Sequence, residues 1–325
     1  MKSFIQFIKD WMLPISMGTG ILLYLVYHNT PALYPAGPLL NKICTSLQPI
    51  MVFLMLFLQF VRVAPTDVHF KKWHLWLLLI QGSVFTITGL LMAHRPETDG
   101  TVLVETAMLC LICPTALAAG VITDKLGGSL SGIMSYMIMI NVLVSFLIPS
   151  IVPLLHPMEG RTFWISFLLI LRRVFSMLIL PCVLAWLIRY LLPKLHKRLT
   201  GLMWAAFYLW SFSLMISLIL TTRSLVLSKM SMVYALAIGL ISLICCVVQF
   251  RLGRVIGKRY SHADSVTAGQ ALGQKNTVFI IWLGYNFMTP TTSIAGGFYC
   301  IWHNFVNSYE LYRQRILSEK STSKT

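Results

Sequence analysis

Charged residues, and acidic ones above all, are scarce in this sequence of 325 residues. Only 11% of the residues are charged, whereas about 25% are charged in a typical soluble domain. The acids number 10 against 26 lysines and arginines. So few charges cannot cover a surface that faces water all round, which excludes an ordinary soluble domain. A mean hydropathy of +0.76 and 57% hydrophobic residues instead favour a chain surrounded by lipid.

Patterns typical of enzymes and metal sites are also missing. The apolar runs contain no HExxH motif, no paired carboxylates and no Ser/His/Asp set, so we do not predict an enzyme. Most of the seven cysteines lie inside apolar runs, and none combines CxxC spacing with histidines. We therefore predict no disulfide framework, no metal site and no cofactor. A basic helix interleaved with aromatic residues is absent too, so nucleic acid is not an expected partner.

Long apolar runs recur along the whole chain. The hydrocarbon core of a bilayer is about 30 Å thick, and a helix of about 20 residues crosses it. The sequence therefore predicts an all-α polytopic membrane protein with ten spans, at residues 11–28, 47–63, 73–93, 102–122, 130–153, 174–192, 201–222, 231–250, 265–288 and 291–309.

The basic residues between these runs indicate an orientation. With the N-terminus inside, 18 lysines and arginines fall in inside segments and seven in outside segments. The positive-inside rule then predicts a multi-pass protein of the cell membrane with both termini in the cytoplasm. Arg172 and Arg173 directly precede span 6, and we interpret the apolar segment before them as interfacial.

Ten spans divide into two sets of five. Because five is odd, the second set starts on the opposite face of the membrane, and any structural repeat is inverted, as in many secondary transporters. We predict a first repeat over 1–153, a second over 154–309, and a short cytoplasmic tail over 310–325.

Spans 4 and 9 correspond under this division, and both are interrupted. Pro114 lacks a backbone donor and predicts a kink or break in span 4, with small residues following it. Span 9 carries a polar cluster close to its middle, formed by Gln270, Gly273, Gln274, Lys275 and Asn276. A lysine at the centre of a span costs about 2.5–3.5 kcal/mol even on a lenient scale, which favours a functional role for Lys275.

These two segments resemble motifs of the bile acid:sodium symporter family. Cys113–Pro114 and the following TALAAGV resemble the family's C-P-G-G-x-x-S-N-V, and residues 270–277 resemble its E-x-G-x-Q-N-S. Gln81 falls where the family has a sodium-site glutamine. The resemblance implies a panel domain of spans 1, 2, 6 and 7 and a core domain of spans 3, 4, 5, 8, 9 and 10. The broken helices 4 and 9 would cross in that core, and the domains would rock for alternating access.

The resemblance also implies which residues form the site. The substrate-binding set is Cys113, Pro114, Thr115, Ala119, Gly120, Gln270, Gly273, Gln274, Lys275, Asn276 and Thr277. The ion-coupling set is Gln81, Gln274 and Lys275.

Three departures from the family motifs concern its sodium sites. Ala119 and Gly120 stand where the family has Ser-Asn, Ala271 aligns with its glutamate, and Lys275 aligns with its glutamine. Two like unit charges 4 Å apart repel by about 4 kcal/mol at an effective dielectric constant of 20, so sodium coupling in the family's manner is not expected. Lys275 either stands in for the missing cation, pairs with an anionic substrate, or titrates, in which case transport would be coupled to protons.

The sequence thus predicts a secondary active transporter of a small organic anion. It would reside in the lipid bilayer as a monomer or homo-oligomer, without a protein partner. Two alternatives stay open: a transport-inactive sensor or receptor that keeps the fold, and a sodium-dependent bile acid-type symporter with rearranged ion ligands.

Overall fold

The regular structure of the described residues is α-helical, which confirms the all-α part of the predicted fold class. The computed structural model describes residues 12–322 except 94, 97, 203 and 229. That part contains fourteen α-helices and two short 3₁₀ helices. The α-helices are α1 (Met12–His28), α2 (Gly37–Arg62), α3 (Lys72–Met92), α4 (Asp99–Ile112), α5 (Ala118–Lys125), α6 (Leu130–Leu155), α7 (Phe163–Leu178), α8 (Leu180–Leu191), α9 (Pro193–Gly201), α10 (Ala205–Leu227), α11 (Met232–Lys258), α12 (His262–Gly273), α13 (Thr277–Phe287) and α14 (Pro290–Thr322).

Several of these helices indicate a multi-pass membrane protein. Five described helical segments are each long and apolar enough to cross a bilayer, and a sixth span results if α7 and α8 are counted together. Part of the difference from the ten predicted spans has a physical reason. Where spans 4 and 9 were predicted, the chain forms pairs of shorter helices, α4 with α5 and α12 with α13.

The helix at predicted span 6 starts earlier in the chain than expected. Helix α7 begins at Phe163, well before residue 174, so Arg172 and Arg173 lie inside a helix. The axis bends by 44° between α7 and α8. Pro181 explains the bend, because it lacks the amide donor that a continuous helix would need there.

Two further predictions concern the ends of the chain. The predicted cytoplasmic N-terminus lies in residues 1–11, outside the described residues. No boundary separates span 10 from the predicted tail at 310, because α14 continues without interruption to Thr322. The last three residues of that tail also lie outside the described part.

Helix α12 is packed closely against its neighbours. It runs beside α11 and also contacts α6, α5 and α3. Gly253 and Gly257 make the contact with α11 close, because a Cβ at either position would overlap the backbone of α12 at Ala268 or Asp264. Small residues four apart are the usual means by which membrane helices approach each other.

The first turn of α12 is tied to α3 by one carboxylate. Asp264 accepts hydrogen bonds from Lys71 Nζ (2.6 Å), Trp73 Nε1 (3.0 Å) and Ser261 Oγ (2.9 Å). Burial alone would raise the pKa of the Asp264 carboxyl, but these three hydrogen bonds and the charge of Lys71 hold it below its ordinary value.

Asp264→Asn is expected to lower the free energy of unfolding by about 1–3 kcal/mol at neutral pH, because hydrogen bonds to a charged group are lost. A depressed pKa in the folded state stabilises the fold above the ordinary carboxyl pKa of about 4, and this contribution disappears as the pH falls through the lower folded-state value. The difference in melting temperature between the two proteins should therefore shrink below about pH 4. Thermal unfolding of the detergent-solubilised protein measures it, with Asp124→Asn, at an exposed position, as the control.

Candidate functional site

The helix break after α4 follows directly from Pro114. The residue before a proline is pushed out of the helical region, and Cys113 accordingly has φ −50° and ψ 138°. The chain stays extended or turned until α5 begins at Ala118. One proline thus divides an apolar segment into two half-helices.

The second break lies between α12 and α13. Gln274 is extended (φ −83°, ψ 117°), and the side chain of Asn276 caps α13 by accepting from the backbone nitrogen of Phe279. Asparagine is among the preferred residues at this position. Gly273 fits the break because a Cβ there would overlap the Phe250 ring.

The two breaks meet and pair as a short antiparallel bridge between Thr115 and Lys275. The backbone nitrogen of Ala116 donates to the carbonyl of Gln274 (3.0 Å), and that of Asn276 donates to the carbonyl of Pro114 (2.8 Å). Each break therefore supplies one backbone donor and one backbone acceptor to the other. We call residues 113–116 and 274–276 the crossing.

Side chains satisfy the free carbonyl groups at the end of α4. Such groups have no partner within the helix, and leaving them bare in a membrane costs several kcal/mol each. Gln249 Nε2 donates to the carbonyl of Cys110 (3.1 Å). The carbonyl of Leu111 accepts from Gln81 Nε2 (2.6 Å) and from Lys275 Nζ (3.1 Å).

The end of α12 is completed in the same way. Thr115 Oγ1 donates to the carbonyl of Ala271 (2.7 Å), and Tyr299 OH donates to the carbonyl of Gly273 (2.8 Å). The polar residues at the crossing thus serve first to make two broken helices tolerable at the centre of the protein.

The structure brings only part of the predicted substrate-binding set together. All eleven residues are buried, but those at the crossing are Cys113, Pro114, Thr115, Gln274, Lys275 and Asn276. Ala119 and Gly120 lie beyond it in α5, Gln270 and Gly273 lie in α12, and Thr277 begins α13. The crossing residues are buried and do not line the cleft described below, so a ligand there does not contact them.

The predicted ion-coupling residues do not form one cluster either. Gln81 and Lys275 share the carbonyl of Leu111. Gln274 contacts different partners, since its Nε2 donates to Gln270 Oε1 (2.5 Å) and Asn307 Oδ1 (3.1 Å).

Gln270 contacts an acid, Glu310, at the start of the predicted cytoplasmic tail. Its Nε2 donates to Glu310 Oε2 (2.7 Å), and the other oxygen of Glu310 pairs with Arg254 (2.5 Å). Glu310 lies within the uninterrupted helix α14, and its side chain is only 12% exposed. A hydrogen-bonded chain therefore runs from this ion pair through Gln270 to Gln274, next to the crossing.

A cleft of about 1020 Å³ lies between α2, α7 and α13. Arg172 and Arg173 line it together with apolar groups that include Phe53 and Trp282. Among the described residues that line the cleft there is no acid, so its charge is positive. Both arginines are exposed, so their guanidinium groups are open to water or to an anion in the cleft.

Helix α13 connects the cleft to the crossing. It starts next to the bridge and contributes Trp282 and Asn286 to the wall of the cleft. Tyr285 accepts from Arg223 Nη1 (2.7 Å) and donates to Asn41 Oδ1 (3.3 Å). A change at the crossing that moves α13 would therefore reshape the cleft.

The cleft is the part of the candidate site that sequence reasoning missed. Its lining comes from three helices far apart in the chain, and no motif marks it. The sequence offered one signal for the cleft, the pair Arg172–Arg173 within an apolar stretch. We interpreted that stretch as interfacial and did not predict a binding role for the two arginines.

The arrangement is chemically suited to an amphipathic anion. Two guanidinium groups can each hold a carboxylate through two parallel hydrogen bonds, while the aromatic and aliphatic walls cover an apolar body. Comparison with known proteins adds no assignment to this geometry: no protein-family model matches the chain, and no curated protein is significantly similar to it.

Proposed function

We propose that this protein is a secondary active transporter of a small organic anion that works by alternating access. The observation that carries the proposal is the crossing, where two interrupted helices exchange backbone hydrogen bonds at their breaks. Discontinuous helices that meet near the bilayer centre are typical of substrate and ion sites in secondary transporters. The likeness of segments 113–121 and 270–277 to the bile acid:sodium symporter motifs supports the same proposal.

The proposal includes the finer architecture predicted from the sequence. It has ten spans in the cell membrane, two inverted repeats over 1–153 and 154–309, and cytoplasmic termini. A panel domain of spans 1, 2, 6 and 7 would move against a core domain of spans 3, 4, 5, 8, 9 and 10, as the family resemblance implies. The surplus of basic residues in the inside segments supports this orientation.

The cleft supports an anion as the substrate. It contains two arginines and, among its described lining residues, no carboxylate, and its volume of about 1020 Å³ suits a small organic molecule. In the proposed orientation the first half of α2 and all of α13 belong to the outer half of the membrane. The cleft would then receive the substrate from outside.

A proteoliposome screen tests the proposed function. Purified protein is reconstituted, and counterflow of radiolabelled organic anions is measured for monocarboxylates, dicarboxylates, sulfonates and amphipathic ring-containing acids. Sodium and pH gradients are varied separately, and protein-free liposomes are the control. We expect saturable counterflow of at least one class of anion. Saturable binding without counterflow would contradict transport and favour a receptor.

A further inference from the structure

The position of the Lys275 side chain distinguishes between two of the three roles that the sequence left open, pairing with a substrate and replacing a cation. Lys275 is 1% exposed, so a substrate in the cleft does not contact it. In the described part of the chain, none of the three ion pairs includes it. Its hydrogen-bond partner is instead the carbonyl of Leu111, at the end of α4.

The C-terminal end of a helix is a site of negative electrostatic potential. Aligned peptide dipoles place about half a negative charge at the C-terminus, carried by the unpaired carbonyl groups. In transporters with broken helices, such half-helix ends and unwound carbonyls coordinate the coupling cation. Lys275 brings a positive charge to this kind of site from the facing break.

The neighbours of the ammonium suit a donor better than a metal ion. The hydroxyl of Tyr136 donates to Gln81 Oε1, which fixes the amide so that its Nε2 faces the Leu111 carbonyl. The amide oxygen of Gln81 is thus turned away. A hard cation such as sodium needs several oxygen ligands, whereas Leu111 offers one oxygen, which also accepts from Gln81 Nε2.

We propose that the Lys275 ammonium is a built-in cation that occupies the negative end of α4, so that the crossing needs no metal ion. Lys275 would hold the two half-helices together in every transport cycle, in the place of a dissociable ion. The inference concerns the ion requirement of the crossing, and only its consequence for coupling rests on the proposed function.

The first test uses the unaltered protein. Its melting temperature in detergent or nanodiscs is compared in sodium chloride and in choline chloride at equal ionic strength. We expect the same value in both salts. A saturable rise with sodium would overturn the proposal.

The second test removes most of the Lys275 side chain and fills the resulting cavity with a small amine. Lys275→Ala removes three methylene groups and the ammonium, which together correspond to n-propylammonium. We expect this compound to raise the melting temperature of the variant by about 3 °C at ten times its dissociation constant. The unaltered protein should not respond. An equal response to 1-propanol, which is neutral, or to tetramethylammonium, which is too bulky, would show that filled volume or ionic strength matters and would overturn the proposal.

A third comparison does not depend on the alanine variant folding. Lys275→Arg keeps the charge and should remain indifferent to sodium, whereas Lys275→Met has similar length and no charge and should lose uptake. Full uptake by Lys275→Met would overturn the proposal. If the unaltered protein transports none of the screened anions, the proposed function fails, while the melting-temperature tests still decide the role of the ammonium.

Discussion

Replacing both Arg172 and Arg173 by glutamine is expected to abolish uptake of organic anions at concentrations near the original KM, while the protein stays folded. Both side chains line the cleft, and among its described lining residues no acid competes with a bound anion. A hydrogen bond to a charged group contributes about 1.5–3 kcal/mol. Each arginine therefore accounts for about a 10- to 100-fold change in affinity, since 1.4 kcal/mol corresponds to a factor of ten.

The loss should fall mainly on KM. The arginines bind the ground-state substrate, so their removal weakens binding before it slows the movement of the helices. The single lysine variants should lose less, because they keep the charge and lose only the paired hydrogen bonds of the guanidinium. Concentration-dependent uptake into proteoliposomes separates KM from the maximal rate.

Two controls accompany this prediction, the melting temperature of the double variant and the substitution of an arginine outside the cleft. Arg173 lies over the Phe287 ring at 5.6 Å, and the loss of this cation–π contact costs about 0.5–1 kcal/mol. The melting temperature should therefore change little. Arg161→Gln removes an exposed arginine just before α7, outside the cleft, and should leave KM unchanged. An unchanged KM in the double variant would refute the cleft as the substrate site.

Local chemistry accounts for what could be predicted from the sequence. Pro114 forces the preceding residue out of the helix, so the first break follows from one residue and its neighbour. A polar cluster that includes Lys275 within an apolar run is also a local signal, because such groups must avoid lipid. Long apolar runs predict helices without reference to any partner.

The remaining features depend on contacts between distant parts of the chain. The ammonium of Lys275 binds the carbonyl of Leu111, 164 residues away in sequence, and no pattern identifies that partner. Glu310 approaches Gln270 only because α14 continues past the predicted end of span 10. The cleft needs α2, α7 and α13, which are far apart in the chain, to lie side by side, and this placement arises from packing.

Gly253→Ala and Gly257→Ala are each expected to destabilise the protein markedly, because they push α11 away from α12. The added Cβ would overlap the backbone at Ala268 or Asp264. Backbone atoms cannot rotate away as a side chain can, so a helix must shift. Overpacking of this kind costs about 1–3 kcal/mol for each substitution. A fall of several degrees in the melting temperature is expected for either variant.

The effect should extend from stability to the crossing. Helix α12 carries Gln270 and ends at Gly273, immediately before the bridge, so a displaced α12 strains the pairing of the two breaks. Uptake should therefore decline even at temperatures where the variant is folded. Gly18→Ala is the matched control, because a Cβ at this position in α1 has no neighbour within 4 Å. Alanine is a better helix former than glycine by about 0.5–1 kcal/mol, so the control should be slightly stabilised. If Gly253→Ala behaved like Gly18→Ala, the close contact between α11 and α12 would not be what positions the second break.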